Sequence, residues 1–230
     1  MIHRFAVIGM VRFGRTVALS LAKKGAEVLA IDSDQSKIDD LRDDVAYAVS
    51  LDATDLKALR SQNIQEMDAV IVAIGEDFES MLLCTVNLID LNVKKIIARS
   101  MNRTQRLILE KLGIKEIISP EDEVGISLAE RLLTPGVLTV LPMPDDYEFV
   151  EISTPRDVVN RTIAEVEFRK KYELNLITIK RTTVENVKGV SRTEQHILGV
   201  PKPDMAIMET DVLILMGKAQ DIKRFIDINQ

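Results

Sequence analysis

Short apolar runs alternate with amphipathic, helix-like segments from residue 5 to residue 119. Most of these runs are rich in Val and Ile with little alternation, which is typical of strands that helices cover on both faces of a sheet. Strands that alternate with helices indicate βαβ units. The pattern therefore predicts an α/β fold with a doubly wound parallel sheet, and the strands are expected at residues 4–8, 27–32, 47–50, 69–74, 95–98 and 116–118.

Helical spacing and end signals mark the predicted helices. Between the first two strands, Val17, Ala18 and Leu21 recur at helical spacing, and Gly25 is placed to end that helix. Residues 120–133 predict a further helix, because Pro120 stands near its start and acidic residues fill its first turn.

The pattern changes after residue 134. Pro135 and Gly136 break the last helix, and Pro142 and Pro144 extend the interruption. We therefore predict a domain at residues 1–134, a linker at 135–146 and a second domain at 147–230.

The second domain contains apolar residues at helical spacing as well as strand-like apolar runs. Val159, Ile163 and Val166 have the spacing of a short amphipathic helix. Alternating or apolar runs predict strands at residues 148–153, 174–179 and 212–216. This mixture indicates a smaller α+β domain.

The strongest local motif is Gly9-Met10-Val11-Arg12-Phe13-Gly14, which lies directly between the first predicted strand and the first helix. In a dinucleotide-binding fold this position places phosphates at a helix N-terminus, and an acid at the end of the second strand, here Asp32, binds ribose hydroxyls. The alternative is that Gly9 and Gly14 only permit a tight turn and close helix packing. Val11 favours that alternative, because it replaces the middle glycine and its branched Cβ crowds a pyrophosphate.

Other candidate residues follow the third and fourth strands. Asp52-Ala53-Thr54 and Gly75-Glu76 stand at carboxyl ends of strands, where ligands bind in open α/β sheets. Asp52 or Thr54 can instead be a helix cap. Arg12 can clamp a terminal phosphate or form an ordinary surface ion pair.

Composition narrows the function classes. The 230 residues are 46% apolar and 29% charged, with a net charge of −6, so there is no basic surplus for a nucleic-acid surface. Apolar runs fall short of a membrane span, and the first residues lack the regions of a signal peptide, so we expect a cytoplasmic protein. The single cysteine, Cys84, lies in an apolar helical stretch and is expected to be a buried, inert thiol.

The sequence shows no motif typical of a catalytic site. The two histidines, His3 and His196, lie near no nucleophile motif, and Cys and His show no metal-ligand spacing. Glu121, Asp122 and Glu123 can ligate a cation, or can simply complement the dipole of the helix that they begin. We expect no enzyme.

The order and spacing of these pieces resemble the RCK (regulator of potassium conductance) or KTN family, in particular the cytosolic Ktr and Trk potassium-uptake subunits. The resemblance spans essentially the whole chain and rests on residues 5–9, 12–14, 28–32, 52–54, 71–75, 109–113, 117–121, 201–204 and 211–217. It implies a Rossmann-type nucleotide-binding domain followed by an RCK C-terminal domain. It also implies a homodimer that assembles into an octameric ring beneath a membrane channel or transporter, on the inner face of the cell membrane.

The family's residue roles carry over by position. Gly9 and Gly14 would frame the phosphate loop, Arg12 would contact the terminal phosphates, and Asp32 would hold the ribose. Asp52 and Thr54 would flank the adenine of ATP or ADP, or of NAD(H) in some Trk relatives. Glu121 matches an acid beside an inter-subunit site for a divalent or monovalent cation. The remaining candidate cofactor contacts are Phe13, Ser33, Ala53, Ile74, Gly75 and Arg99.

The second domain is expected to sense a small ligand. Ile163, Arg169 and the segment 201–203 predict a cleft for cyclic di-AMP at a dimer interface, although Ile163 can equally be a core residue. The function expected from the resemblance is a nucleotide-binding regulatory subunit that gates potassium transport by conformational change. The alternatives are an NAD(P)-dependent oxidoreductase and a structural ring subunit with a degenerate nucleotide site.

Overall fold

A computed structural model of the chain describes residues 2–75, 77–187 and 190–230. It divides into two units, Met1–Asp122 and Glu123–Gln230. In the described part of the chain, every helix is too short or too polar to cross a lipid bilayer.

Unit one is a parallel sheet with helices between its strands, as the sequence pattern predicts. The strands pair side by side in the order β3-β2-β1-β4-β5-β6. The order of the strands reverses between β1 and β4, and such a switch point opens a crevice at the carboxyl ends of the strands. The elements are β1 (Arg4–Ile8), α1 (Arg12–Lys23), β2 (Glu27–Asp32), α2 (Gln35–Asp39), β3 (Tyr47–Ser50), α3 (Leu56–Ser61), β4 (Ala69–Val72), α4 (Phe78–Asp90), β5 (Ile96–Arg99), α5 (Arg103–Lys111) and β6 (Glu116–Ile118). The next helix, α6 (Pro120–Leu133), begins in unit one and continues into unit two.

Two apolar layers sandwich this sheet. Ala6 and Ile8 of β1 pack into one layer, together with α4 and α5, whereas Val7 packs into the other layer with α1 and α2. Both layers exist because successive strand residues point to opposite faces. Cys84 of α4 is buried in the first layer, and burial raises the pKa of its thiol to about 12. The expectation of a buried thiol is confirmed.

Unit two contains an antiparallel sheet in the order β10-β9-β11-β8-β7. Its core joins buried residues of β11 to the aromatic rings of Phe168, Tyr172 and Phe225, the last from the C-terminal helix. The predicted α+β class is confirmed. The elements are β7 (Val137–Pro142), β8 (Tyr147–Ser153), α7 (Ile163–Val166), α8 (Phe168–Tyr172), β9 (Asn175–Val187), β10 (Val190–Ile197), β11 (Val212–Lys218) and α9 (Ala219–Ile228).

Several elements differ from the sequence prediction. The segment predicted as a linker contains β7, which pairs with β8 at the sheet edge. Pro142 is compatible with this strand because it is the last residue of an edge strand, where a missing N–H costs little. The prediction at residues 69–74 is two residues too long, because β4 ends at Val72 and the chain then turns into the crevice.

The strand predicted at residues 174–179 is the first part of β9, whereas the rest of β9, the strand β10 and the helix α9 are absent from the sequence prediction. The polar run Lys180-Arg181-Thr182-Thr183 within β9 gives no apolar alternation, so its strand structure depends on pairing with β10.

Candidate functional site: two clefts on either side of the glycine loop

The glycine loop after β1 needs two of its glycines for geometric reasons. Gly9 has a φ of +96°, and a Cβ there would lie 2.8 Å from the backbone nitrogen of Ile74. A Cβ on Gly14 would lie 1.9 Å from the carbonyl oxygen of Gly9. Val11 has φ −69° and ψ 175°, extended backbone that valine adopts without strain. Conformation therefore requires glycine at residues 9 and 14 and does not require it at residue 11.

Asp32 ties this loop to the end of β2. The Met10 N–H donates to Oδ2 of Asp32 at 2.6 Å, and the Asp34 N–H donates to Oδ1 at 2.9 Å. The Nζ of Lys37 lies 3.4 Å from Oδ1, which offsets the cost of burying the carboxylate. Asp32 therefore holds the glycine loop in place as well as facing the cleft.

The loop after β3 is stabilised by a compact turn. Both the N–H and the hydroxyl of Thr54 donate to Oδ1 of Asp52, at 2.8 and 2.7 Å. These hydrogen bonds lower the pKa of Asp52, and the one from the hydroxyl contributes most. The Nδ2 of Asn87 donates to the carbonyl of Thr54 at 2.8 Å and joins the turn to α4. Ala53, in the middle of the turn, is buried in the same apolar layer as α4.

These loops line a first cleft of about 260 Å³, near the lower end of the size range of small-molecule sites. The structure brings together here most of the predicted cofactor contacts: Gly9, Asp32, Ser33, Asp52, Ala53, Thr54, Ile74 and Gly75. Glu76, also singled out from the sequence, lies outside the described residues.

Sequence reasoning missed Lys37, Asp77 and Ser80, which also line the first cleft. Asp77 accepts from the N–H and the hydroxyl of Ser80, at 3.0 and 2.6 Å, and so caps α4. The available signature was an Asp directly before an apolar helical run, which is a preferred N-cap residue. Lys37 carries no such signature, since it reaches the cleft only through the position of α2.

A second cleft, of about 440 Å³, lies beside the first, and Val11 and Gly75 line both. Its lining contains the other predicted site residues: Arg12, Phe13, Arg99 and Glu121. Gly14 packs beneath the loop. The predicted contacts therefore divide into two groups, one on each side of the glycine loop.

Arg99 contacts two other residues that line the second cleft, Phe13 and Glu121. Its guanidinium carbon lies 5.6 Å from the centre of the Phe13 ring, and it forms an ion pair with Glu121. A Cβ on Gly75 would come within 3.0 Å of Nη1 of Arg99, so glycine at that position leaves room for the guanidinium. Arg12 is exposed in the first turn of α1 and forms no ion pair within the described parts of the chain.

The clefts contain no histidine among the residues that the structure describes. The Nδ1 of His3 lies 3.5 Å from a carboxylate oxygen of Asp68, and His196 belongs to β10. Within residues 2–75, 77–187 and 190–230, no three His, Cys, Asp or Glu side chains are grouped so as to hold a metal ion. The cation site at Glu121 stays a prediction.

In unit two, the structure places the predicted ligand segment beside α7. The Ile163 N–H donates to the carbonyl of Met205 at 3.0 Å, and the Ala164 N–H donates to the carbonyl of Pro203 at 2.9 Å. Ile163 packs against the core, and Arg169 is exposed on α8. Ile163 and the segment 201–203 therefore lie close together.

Comparison with known proteins identifies both units. Residues 5–120 match the model of the TrkA-N domain, and residues 147–230 match that of the TrkA-C domain. The chain is 31% identical to Ktr system potassium uptake protein C of Bacillus subtilis and 33% identical to protein A of the same system, in each case over 96% of this chain and 95% of the relative.

A solved structure supports the same architecture. The GsuK channel superposes with a TM-score of 0.67 at 16% identity, over 96% of this chain and 38% of the channel chain. The same channel bound to NAD superposes with a TM-score of 0.62 at 15% identity. At this identity the likeness shows the fold.

Proposed function

Since the chain belongs to the family that carries a TrkA-N and a TrkA-C domain and includes the Ktr system potassium uptake proteins, we propose that it is a regulatory subunit of a potassium channel or transporter. Unit one binds a nucleotide, and the bound nucleotide sets the activity of a membrane partner. The protein acts in the cytoplasm, at the inner face of the membrane, through that partner and catalyses no reaction of its own.

The observation that carries the nucleotide proposal is the glycine loop at the switch point of the sheet. Gly9 and Gly14 have geometries that only glycine satisfies, and Asp32 holds the loop against β2. The free N–H groups at the start of α1 and the exposed Arg12 favour phosphate at this loop. The cleft beside it has a volume of about 260 Å³ and is lined by Asp52 and Thr54.

ATP or ADP is the proposed ligand, with NAD(H) as the second possibility because the GsuK channel has a structure with bound NAD. In this assignment Asp32 and Ser33 face the ribose, and the turn at residues 52–54 faces the adenine. Ile74 and Gly75 form the floor beside the loop. Arg12 contacts the terminal phosphates.

Regulation requires a difference in affinity between two states. A ligand shifts a conformational equilibrium only by as much as it binds one state better than the other. An arginine that reaches a γ-phosphate supplies such a difference between ATP and ADP. We propose that nucleotide exchange changes the arrangement of a homodimer, that dimers form an octameric ring, and that the ring transmits the change to the channel gate.

The test combines binding with transport. The protein is purified for native mass spectrometry, and it is co-expressed with a Ktr-type membrane subunit in cells that lack their own potassium uptake. We expect a co-purified adenine nucleotide, and uptake that depends on this protein. Arg12→Glu, which places an anion at the phosphate loop, should lower both nucleotide occupancy and uptake.

Two results would contradict this function. Uptake that is unaffected when the protein is omitted excludes a regulatory role for that membrane subunit. Steady NADH oxidation with a simple metabolite would instead assign the chain to the oxidoreductases.

Unit two is proposed to bind cyclic di-AMP. The hydrogen bonds that hold residues 203–205 against the start of α7 support a ligand segment there, with Ile163 and Arg169 nearby in the chain. Titration calorimetry of the whole protein should show binding that Arg169→Ala weakens. An absence of heat with the wild-type protein removes this ligand from the proposal and leaves the nucleotide site untouched.

A further inference from the structure

Asn87 of α4 reaches outside its helix to the turn after β3. It is half-buried, and its Nδ2 donates to the carbonyl oxygen of Thr54 at 2.8 Å, with the carbonyl oxygen of Ala53 at 3.5 Å. By contrast, the hydroxyl of Thr85 donates to the carbonyl of Met81 within α4. An asparagine disfavours the interior of a helix, because its side chain competes for backbone hydrogen bonds. The contribution of Asn87 therefore lies in its contact with the turn.

The hydrogen bonds within this turn fix its shape but not its position. The side chain and the carbonyl of Asp52 accept hydrogen bonds from the two residues that follow Ala53. Where the turn begins, the Leu51 N–H donates to the carbonyl of Asp32 at 3.1 Å, which joins the ends of β3 and β2. Among the hydrogen bonds of the residues that the structure describes, those from Asn87 alone join the turn to α4.

The turn and α4 form two walls of the first cleft. Asp52 and Thr54 line the cleft from the turn, and Asp77 and Ser80 line it from the start of α4. Asn87 lies about two helical turns beyond Ser80 and is not among the described residues that line the cleft. The hydrogen bond from Asn87 to Thr54 therefore fixes the spacing between the two walls from outside the cleft.

We propose that Asn87 is a positioning residue of the nucleotide site: its amide holds the turn at residues 52–54 at the spacing from α4 that the nucleoside requires, without contacting the nucleotide. This inference rests on the proposed nucleotide site of unit one. In that assignment the nucleoside faces this turn, whereas the phosphates face the glycine loop. Loss of the amide therefore weakens the binding of each adenine nucleotide by the same factor and leaves the discrimination between ATP and ADP unchanged.

The experiment measures ADP and ATP binding by calorimetry for the whole protein and for Asn87→Ala. Alanine is the best helix former, so α4 is retained while the donor to the turn is lost. We expect both nucleotides to bind about fivefold more weakly, which corresponds to the net contribution of one hydrogen bond. The ratio of the ATP and ADP affinities should stay within about twofold of the wild-type ratio, because the phosphates do not contact this turn.

Thr85→Val is the matched control, because it removes a hydroxyl hydrogen bond that stays within the same helix. It should leave both affinities within about twofold of the wild type. Thermal unfolding without ligand shows that each variant is folded at the temperature of the titration, which separates a loss of stability from a loss of affinity.

Asn87→Asp gives a second arm that a purely structural role would not reproduce. The introduced carboxyl donates to the carbonyl of Thr54 when it is protonated, as the amide does, and repels that carbonyl when it is ionised. Half-burial and the nearby charge of Asp52 raise the pKa of the introduced group. The loss of affinity relative to the wild type should therefore shrink as the pH falls from about 8 to about 5, whereas the loss in Asn87→Ala should stay constant.

The neighbouring groups do not titrate in this range. Hydrogen bonds from Thr54 lower the pKa of Asp52, and burial, with a smaller contribution from the charge of Asp52, raises the pKa of Cys84 to about 12. The wild type is measured at each pH, so that protonation of the nucleotide itself affects all proteins alike.

The proposal is overturned if Asn87→Ala binds both nucleotides as the wild type does, or if it changes ATP and ADP binding by different factors. An equal loss in Thr85→Val also overturns it, since the effect would then belong to α4 as a whole. So does a loss in Asn87→Asp that is independent of pH. Failure of the wild-type protein to bind either nucleotide would instead overturn the proposed nucleotide site itself.

Discussion

At the scale of single residues, the glycine positions of the motif at residues 9–14 have two different roles: the backbone conformation requires glycine at some of them, and at others a glycine would only leave room for a ligand. Gly9 and Gly14 are required by backbone geometry, since Gly9 has a positive φ and a Cβ at Gly14 would clash with the carbonyl oxygen of Gly9. Val11 sits in ordinary extended backbone, so only a ligand can make residue 11 prefer glycine. Replacement of Val11 by glycine should therefore change nucleotide affinity and not the conformation of the loop.

Val11→Gly is predicted to tighten ATP binding by about 1–2 kcal/mol, comparable to one or two hydrogen bonds to a charged group. The physical reason is that the branched side chain borders both clefts and keeps the phosphate chain away from the loop. Calorimetry with ATP measures the change, and adenosine serves as the control ligand.

Arg12→Ala provides an internal check on this reasoning. It should cost more ATP affinity in the Val11→Gly protein than in the wild type, because the arginine acts only on a phosphate within its reach. Equal ATP affinity of the wild type and Val11→Gly would show that the phosphate path does not pass residue 11.

The turn at Asp52 makes a pH-dependent contribution to stability. Hydrogen bonds from Thr54 lower the pKa of Asp52 below its usual 3.8, so the folded state favours the carboxylate. A lowered folded pKa contributes stability that is fully present above about pH 4 and is lost as the pH falls through the folded pKa. Thr54→Val should therefore destabilise the protein at pH 7, by about 0.5 kcal/mol for this solvent-screened pair.

Thermal unfolding between about pH 7 and about pH 2.5 tests this, since that range spans the titration of the carboxylate. The difference between Thr54→Val and the wild type should shrink toward the acid end. Thr16→Val is the control, since the Thr16 hydroxyl donates to the carbonyl of Arg12 and to no carboxylate. Its effect should not change with pH, and a parallel pH dependence in both variants would contradict the assignment to Asp52.

At the scale of elements, a buried ion pair joins β9 to the start of β11. Asp211 is fully buried and accepts from Nε and Nη2 of Arg181, at 2.8 and 2.7 Å, and from the N–H of Met208 at 2.8 Å. The hydrogen bonds from Arg181 to Asp211 raise the pKa of Arg181, which keeps its charge. One buried carboxylate therefore links β9 to the residue directly before β11.

Asp211→Ala should lower the free energy of unfolding by about 3 kcal/mol, because it leaves a cation and a backbone donor without their acceptor. Urea denaturation measures the loss. Lys180→Ala is the control: Lys180 pairs with Glu151 on the same sheet, both partners are about a quarter exposed, and the loss should stay below about 1 kcal/mol. Similar losses in the two variants would show that burial of Asp211 adds nothing.

At the scale of the whole molecule, the apolar residues of α6 stand out. Val124, Leu128 and Leu132 recur every four residues and are exposed, and Ile126 and Leu133 are exposed as well. An apolar helical stripe without cover is typical of an association surface. We expect a dimer or larger closed ring, and light scattering across micromolar concentrations should show a mass above the 25.8 kDa of one chain.

Leu128→Glu combined with Leu132→Glu should reduce that mass, whereas Leu107→Glu, at an exposed apolar residue of α5, should not. A single-chain mass for the wild type at all concentrations would refute the assembly. Equal effects of both changes would place the interface away from α6.

Local sequence determines where the site residues of unit one stand along its strands. Parallel strands buried on both faces leave continuous apolar runs, and their carboxyl ends must meet at one edge of the sheet. The sequence by itself therefore assigns Gly9, Asp32 and Asp52 to one cleft, and the structure brings all three to it. The helix α6 is likewise predicted at residues 120–133, because its proline and acidic first turn mark its start.

Tertiary structure decides whatever depends on partners distant in the chain. β7 is flanked by Pro135 and Pro144 and ends at Pro142, which hides it in the sequence, and most of the β9–β10 hairpin is too polar to be recognised alone. These segments become strands because neighbours complete their hydrogen bonds. Lys37 reaches Asp32 only through the packing of α2. Arg99 meets Glu121 and Phe13 because the end of β5 lies beside the first turns of α1 and α6, and no pattern within any one segment encodes that contact.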